Sequence, residues 1–187
     1  MSEKLPVRDY ILLAYKAFGG GVRGKTMLQK RMYFLSVMLN VDLGFGPHYY
    51  GPYSSAVTSG NIELKSLGFL QEYSAGWGVD HRGFEMARHD YFLSDEGNKF
   101  ATEKAEANAY LWGRVQEAAE VIKKAGDLNY MELSIAAKAY FALTKLKGSA
   151  SLDEIHALLP RFGWNVSKEE LEKATSFLEK AHLVTNS

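Results

Sequence analysis

The stretch Gly19-Gly20-Gly21-Val22-Arg23-Gly24-Lys25-Thr26 decides between two folds. It satisfies the phosphate-loop pattern of a glycine, four residues, a glycine, a lysine and a threonine. A phosphate-binding loop of this kind follows a buried strand, cradles phosphates with its backbone amides, and works with an acidic magnesium ligand on another strand. If helices flank the stretch instead, it is a flexible basic turn between them.

The sequence before this stretch has the period of a helix. Pro6 suits a first helical position, and apolar residues then recur at helical spacing, at Val7, Ile11, Ala14 and Phe18. No later segment offers an apolar strand that ends in a suitable aspartate, and residues 91–95 fit the last strand of a hairpin better. The flexible turn is therefore favoured, and a nucleotide-binding enzyme that uses Gly19 to Thr26 stays as a third hypothesis for function.

The sequence after the stretch predicts two more helices and a hairpin. A second helix is predicted from about Thr26 to Asn40 and a third from Tyr53 to Leu67, with an irregular connection at 44–52. Two extended segments follow, Phe69 to Tyr73 and Asp90 to Leu93, and the glycines between them predict a hairpin with a long tip. Three helices followed by a hairpin is the order of a winged helix-turn-helix.

The carboxy-terminal half is predicted to be helical. Ser94 is a natural N-cap for a long central helix. The apolar seam of that helix steps by three or four residues, at Leu111, Val115, Ala118, Ile122 and Ala125. We expect this seam to pack on the first domain or on a second copy of the chain. Three shorter helices follow Gly126, two of them with capping-box starts, at Ser151 with Glu154 and Ser167 with Glu170.

These patterns predict a mainly α-helical protein with a small β-hairpin wing. Residues 1–125 are predicted to form a winged-helix domain with a long central helix. Residues 126–187 are predicted to form a helical bundle, for which a second helix-turn-helix-like unit is one interpretation.

Composition narrows the classes of function. With 187 residues, 47% of them hydrophobic, the chain can bury the core of one domain or two small ones. No apolar run reaches the roughly twenty residues that span a bilayer, and the amino terminus lacks the pattern of a secretory signal, so a cytoplasmic protein is expected. The absence of cysteine excludes thiolate chemistry, and the five histidines lack metalloprotease spacing. We predict no catalytic residue, no cofactor and no metal.

Charge is distributed unevenly although the formal net charge is zero. Between Tyr10 and Val41 five residues are basic and none is acidic, which predicts a local basic patch. In a DNA-binding winged helix, the third helix reads base edges while basic residues elsewhere hold phosphates. The candidates for base contact are Ser54, Ser55, Thr58, Ser59, Asn61 and Lys65. The candidates for phosphate contact are Arg23, Lys25, Lys30, Arg31 and Arg82.

Three short motifs resemble a known family. They are Leu28-Gln29-Lys30 with Tyr33-Phe34, then Tyr50-Gly51-Pro52-Tyr53-Ser54, and then Leu67-Gly68-Phe69-Leu70. The stretch from Gly24 to Leu70 resembles the YwgA-like family of small bacterial and archaeal proteins and, more distantly, the SocA-like antitoxin (Panacea) domain. The resemblance implies a winged-helix fold with no established catalytic activity, and the antitoxin relatives imply neutralisation of a toxin through protein contact. The glycine-rich start and residues 74–89 depart from the family pattern.

The sequence thus predicts a DNA-binding, antitoxin-like regulatory protein that forms a homodimer through the long central helix. The alternative is an adaptor that uses the same surface on a protein partner such as a toxin. Aromatic residues suited to such a surface are Phe45, Tyr49, Tyr50, Tyr53 and Trp77.

Overall fold

The computed structural model describes residues 5–79, 85–126, 128–146 and 149–185. The described chain is mainly helical, with a three-stranded antiparallel sheet, which confirms the predicted class. The amino-terminal helices are α1 (Val7–Ala17), α2 (Lys25–Leu39) and α3 (Ser55–Ser66). The strands are β1 (Gly21–Arg23), β2 (Leu70–Val79) and β3 (Glu85–Leu93). The later helices are α4 (Asp95–Ala107), α5 (Ala109–Ala125), α6 (Tyr130–Leu143), α7 (Leu152–Leu158), which continues into a 3₁₀ turn at Leu159–Phe162, and α8 (Lys168–Lys180). Across the described ranges, no helix combines the length and apolar character that crossing a membrane requires.

Side-chain caps explain where most helices begin. The hydroxyl of Ser94 accepts a hydrogen bond from the backbone N–H of Gly97 and so begins α4. The predicted capping boxes are confirmed at the starts of α7 and α8, and a further one begins α6. These caps satisfy N–H groups that a first helical turn leaves without partners.

The sheet has the strand order β1-β3-β2, with both pairs antiparallel. Strand β1 lies inside the glycine-rich stretch, so the prediction of a flexible turn there was wrong. Gly21 is opposite Phe92, and a Cβ atom at Gly21 would stand 2.4 Å from the ring of Phe92. Only glycine allows this close approach, and a strand of three residues is too short to show a period of two in the sequence.

The hairpin is longer than predicted. Strands β2 and β3 pair from Leu70 opposite Leu93 to Val79 opposite Glu85, with an irregularity between Gly76 and Val79. The outer part of the hairpin was missed because Gly76 and Gly78 interrupt it, and glycine is depleted in strands and typical of turns.

The long central helix was a wrong prediction, because the chain breaks at Asn108 between α4 and α5. The side-chain amide of Asn108 donates to the carbonyl of Lys104, and such local bonds compete with helix continuation. The predicted seam is largely buried in the chain's own core, where α5 contacts α1, α2 and α8. This seam is therefore not free to join a second copy of the chain.

The hydrophobic core runs without interruption from the amino-terminal helices into the carboxy-terminal ones. Phe34 of α2 contacts Phe177 of α8, with 5.4 Å between ring centroids. The indole N–H of Trp164 donates to the carbonyl of His48 at 2.6 Å. The carboxy-terminal helices thereby support α2 and the connection at 40–54, and the first two turns of α2 line a cleft.

Candidate functional site

A cleft of about 570 Å³ opens between α2, α3, the connection at 40–54 and the sheet. We call it the α2–α3 cleft. Its lining is formed by Lys25, Thr26, Leu28, Gln29, Lys30, His48, Tyr50, Tyr53, Thr58, Asn61, Ile62, Lys65, Glu72 and Tyr91. The volume lies within the range of ordinary ligand pockets, roughly 300 to 1,000 Å³.

Gln29 fixes the position of α3 relative to α2. Its side-chain nitrogen donates to the carbonyl of Ser54 and to the hydroxyl of Thr58, both at 3.0 Å. Its side-chain oxygen accepts from the backbone N–H of Ser54 at 2.9 Å. The hydroxyl of Ser54 donates in turn to the carbonyl of Leu43 at 2.6 Å. A buried polar network, not a short turn, therefore sets the geometry of the two helices.

Lys30 brings an amine to a buried position beside the cleft. The residue is 2% exposed, and its Nζ donates to the carbonyl of Pro52 at 2.7 Å. Burial, assisted by the nearby positive charge of Lys138, lowers the pKa of Lys30 to about 7. Among the described residues, no carboxylate forms an ion pair with Lys30. The amine is thus buried without a compensating negative charge.

Glu72 carries the negative charge of the cleft lining, and that charge is already compensated. Hydrogen bonds with Lys65 and then with His89 hold the pKa of the Glu72 carboxyl below its usual range. Burial, assisted by Glu72, raises the pKa of Tyr91 to about 12. Within the described ranges, no group of three or more acidic or histidine side chains is placed to hold a metal ion.

Aromatic and apolar side chains line the cleft at His48, Tyr50, Tyr53 and Ile62, and Tyr49 lies beside Tyr50. Tyr49 and Tyr50 are 74% and 52% exposed, with their rings 4.8 Å apart and perpendicular. The rings of His48 and Tyr53 lie 4.7 Å apart. Ile62 of α3 is 56% exposed. Large apolar groups so exposed are typical of surfaces that contact a ligand or a partner.

The basic residues do not form the single patch that the sequence predicted. Arg23 and Lys25 are exposed and pair with no described residue. Lys30 is buried, whereas the guanidinium of Arg31 lies 4.4 Å from the ring centroid of Phe18. The cause is helical geometry, since successive residues of α2 point in directions about 100° apart.

The polar residues predicted to read bases divide into two sets. Ser55 and Ser59 are exposed and Thr58 is half-buried, so these three are accessible on α3. Ser54 and Asn61 are buried and form hydrogen bonds inside the protein. Their burial corrects the predicted role of Ser54 and Asn61 as exposed base contacts, because a serine that caps a helix and an asparagine on its inner face turn toward the core.

Sequence reasoning missed Gln29, Glu72 and Tyr91. Gln29 gives no local signal because its partners are 25 or more residues away. Alternation along β2 and β3 puts Glu72 opposite Tyr91 on one face, but only the sheet register reveals this. Arg82 and the side chain of Trp77 lie outside the described part of the structure.

The phosphate-loop match does not have the surroundings of a phosphate loop. Helix α1 precedes it where such a loop needs a strand, and β1 lies within the motif itself. Gly24, at a φ of 93°, is the N-cap of α2. Lys25 and Thr26 begin that helix and line the cleft. The end of the motif therefore belongs to the cleft, in an arrangement different from the one its pattern suggests.

Comparison with known proteins leaves the cleft to be interpreted from its geometry. No family model matches this chain. No curated protein matches it significantly. The resemblance of Gly24 to Leu70 to the YwgA-like family therefore stays a prediction.

Proposed function

We propose that the chain is a winged-helix regulatory protein that contacts double-stranded DNA and has no catalytic centre of its own. The observation that supports this proposal is the element order α1-β1-α2-α3-β2-β3 together with the strand order β1-β3-β2. The proposal assigns α3 as the recognition helix, which enters the major groove, and the β2–β3 hairpin as the wing.

The proposed DNA-binding surface is small and carries few positive charges. Ser55 and Ser59 are exposed on α3 for contact with base edges, and Arg23 and Lys25 are free to contact phosphates. Lys65 adds a third cation but is paired with Glu72. Each protomer therefore has two or three phosphate contacts in its described part. A homodimer would double them, but it would have to form through a surface other than the buried seam of α5. A homodimer and the cytoplasmic location stay predictions.

A pair of charge-reversal variants tests the DNA contact. We expect Arg23→Glu with Lys25→Glu to weaken binding to a labelled duplex at least tenfold, because it turns two phosphate contacts into repulsions. The matched control is Lys124→Glu with Lys180→Glu, which changes the net charge equally at exposed positions on α5 and α8. Equal loss of affinity in both variants, measured by fluorescence anisotropy, would contradict the proposed surface.

A second candidate function is contact with a protein partner, as the antitoxin resemblance implies. It is favoured by the exposure of Tyr49, Tyr50 and Ile62, because large exposed side chains of this kind anchor protein interfaces. Replacing Tyr49 and Tyr50 with alanine should remove a specific partner from affinity-purified complexes, quantified by mass spectrometry. The control is Tyr110→Ala, since Tyr110 is 82% exposed on α5. Identical recovery with both variants would argue against this function.

A further inference from the structure

Strand β2 has one open edge. It lies at the end of the strand order β1-β3-β2 and pairs with β3 on one side. Among the described elements, β2 makes its contacts mainly with β3 and α3. Ser74, Ala75 and Gly76 of the strand are exposed. The side of β2 away from β3 is therefore accessible to another strand.

The hydrogen-bond pattern shows which backbone groups face the open edge. The N–H of Ser94 donates to the carbonyl of Phe69 at 3.0 Å, so residue 69 turns its backbone toward β3. Backbone groups alternate in direction along a strand, so residues 71, 73 and 75 also face β3, whereas Glu72 and Ser74 face away from it. Among the described residues, no group outside the sheet bonds to the backbone of Glu72 or Ser74. Their N–H and C=O groups can therefore pair with a further strand.

The open edge lacks the features that usually keep strand edges apart. Such features are lysine, proline, a bulge or a covering element. Residues 70–76 contain neither lysine nor proline, and the irregularity in the pairing with β3 comes only after Gly76. The charge of this segment is carried by Glu72, whose carboxylate is bonded to Lys65 and His89. A second strand can therefore approach without meeting an uncompensated charge.

Tyr73 makes the edge complementary to a second copy of itself. Its side chain is 59% exposed, and its ring lies 5.8 Å from that of Phe92. When β2 pairs antiparallel with its own copy, Glu72 can lie opposite Ser74 of the second copy, and Tyr73 then lies opposite Tyr73 of the second copy. Aromatic residues directly opposite each other stabilise a sheet, whereas like charges there destabilise it. This register pairs the two tyrosines and keeps the two Glu72 carboxylates apart.

We propose that β2 pairs antiparallel with β2 of a second copy of the chain, so that two three-stranded sheets join into one sheet of six strands. The twofold axis passes between the two Tyr73 residues, perpendicular to the sheet, so both copies present α3 on the same side. The interface differs from the buried seam of α5, and its formation does not depend on contact with DNA.

The proposed dimer is expected to be weak. Its paired segment, residues 71–75, is much shorter than the roughly 20–30 residues that each partner contributes to a standard interface. We therefore expect a dissociation constant on the order of 1–100 μM.

Cysteine cross-linking of the full chain tests the proposed pairing. The chain has no cysteine, so Tyr73→Cys introduces a single thiol. Opposite residues in this position of an antiparallel pair have Cα atoms about 4.5 Å apart, a distance that a disulfide can span. Air oxidation catalysed by copper phenanthroline should convert Tyr73→Cys into a disulfide dimer about tenfold faster than Tyr110→Cys, measured on non-reducing gels. Tyr110, 82% exposed on α5, is the matched control.

Sedimentation velocity measures the same interface without a cross-link. Tyr73→Lys places two positive charges opposite each other, so it should raise the dissociation constant of the dimer about tenfold or more. Tyr110→Lys makes the same change on α5 and should leave the dissociation constant unchanged. Both tyrosines are exposed, so their replacement does not put folding at risk.

Three results would overturn the proposal. The first is equal cross-linking of Tyr73→Cys and Tyr110→Cys. The second is a natural chain that sediments as a monomer at about 1 mM, far above the expected dissociation constant. The third is the same dissociation constant in Tyr73→Lys and Tyr110→Lys. Because these measurements contain no DNA, failure of the proposed DNA contact would not change their outcome.

Discussion

Ser54 shows how a single buried side chain can hold the cleft together. Its hydroxyl accepts from the N–H of Val57 at the start of α3 and donates to the carbonyl of Leu43 in the preceding connection. Its backbone is also bonded to Gln29 of α2. The residue therefore joins α2, α3 and the connection between them.

We expect Ser54→Ala to lower the free energy of unfolding by about 1–3 kcal/mol, because it removes a helix cap and a buried hydrogen bond. The adjacent Ser55 is exposed, and Ser55→Ala should change stability by no more than about 0.5 kcal/mol. Urea unfolding of both variants gives the comparison. Similar losses in the two would contradict the role of Ser54.

Lys30 should make stability depend on pH. Its pKa is about 7 in the folded protein, against an ordinary value of 10.5, so between these values the unfolded chain binds more protons than the folded one. The free energy of unfolding contributed by Lys30 therefore rises with pH in this window, by at most about 1.4 kcal/mol per pH unit, and falls as pH drops toward 7.

Urea unfolding at pH 7, 8 and 9 compares the natural chain with Lys30→Met, which keeps a long apolar side chain without the amine. We expect the natural chain to gain stability relative to the variant at each step. A constant difference between the two proteins across this range would show that Lys30 is protonated equally in the folded and unfolded states.

At the scale of elements, two glycines in neighbouring helices differ in whether a side chain would fit: Gly97 has no room for a Cβ atom, and Gly113 has open space around it. A Cβ atom at Gly97 of α4 would stand 2.0 Å from the carbonyl oxygen of Phe69, whereas one at Gly113 of α5 would meet nothing within 4 Å. Because Gly97 has no side chain, α4 can pack directly against the backbone of Phe69, at the start of the hairpin.

We expect Gly97→Ala to destabilise the protein by about 1–3 kcal/mol or more, since backbone must move to admit the methyl group. Gly113→Ala should stabilise it by about 0.5–1 kcal/mol, because alanine favours the helix. Thermal unfolding of the two variants should therefore shift the melting temperature in opposite directions. A shift of the same sign in both would refute the contact.

The elements differ in how far the sequence could predict them. Helices α1 to α3 were predicted to within two residues at each end, since long amphipathic segments carry a strong period. Strand β1 is too short to show the period of a strand. The apolar seam of α5 predicts a continuous helix, so the break at Asn108 was missed. In the site, Lys25 and Lys65 could be predicted as surface cations, but the burial of Lys30 and the role of Gln29 depend on partners distant in sequence.

Across the whole molecule, the core joins both sides of the predicted boundary near Gly126. Tyr33 and Phe34 of α2 contact Tyr140 and Phe141 of α6 and Phe177 of α8. Shared burial of this kind couples the folding of the segments that contribute to it.

We expect Phe177→Ala to lower the stability of the entire chain by about 3–5 kcal/mol. Unfolding followed by tryptophan fluorescence and by far-ultraviolet circular dichroism should give coincident single transitions, both shifted by the substitution. Two transitions, of which the variant moves only one, would establish 126–187 as a separate domain.

The most direct test of the proposed function is binding of the purified protein to labelled duplex DNA across a salt series. With Arg23 and Lys25 as unpaired cations, and Lys65 as a third that would have to leave Glu72, we expect the logarithm of the binding constant to fall with the logarithm of salt at a slope of about −2 to −3 per protomer. Absence of binding even at low salt would contradict the DNA contact and leave the surface at Tyr49, Tyr50 and Ile62 for a protein partner.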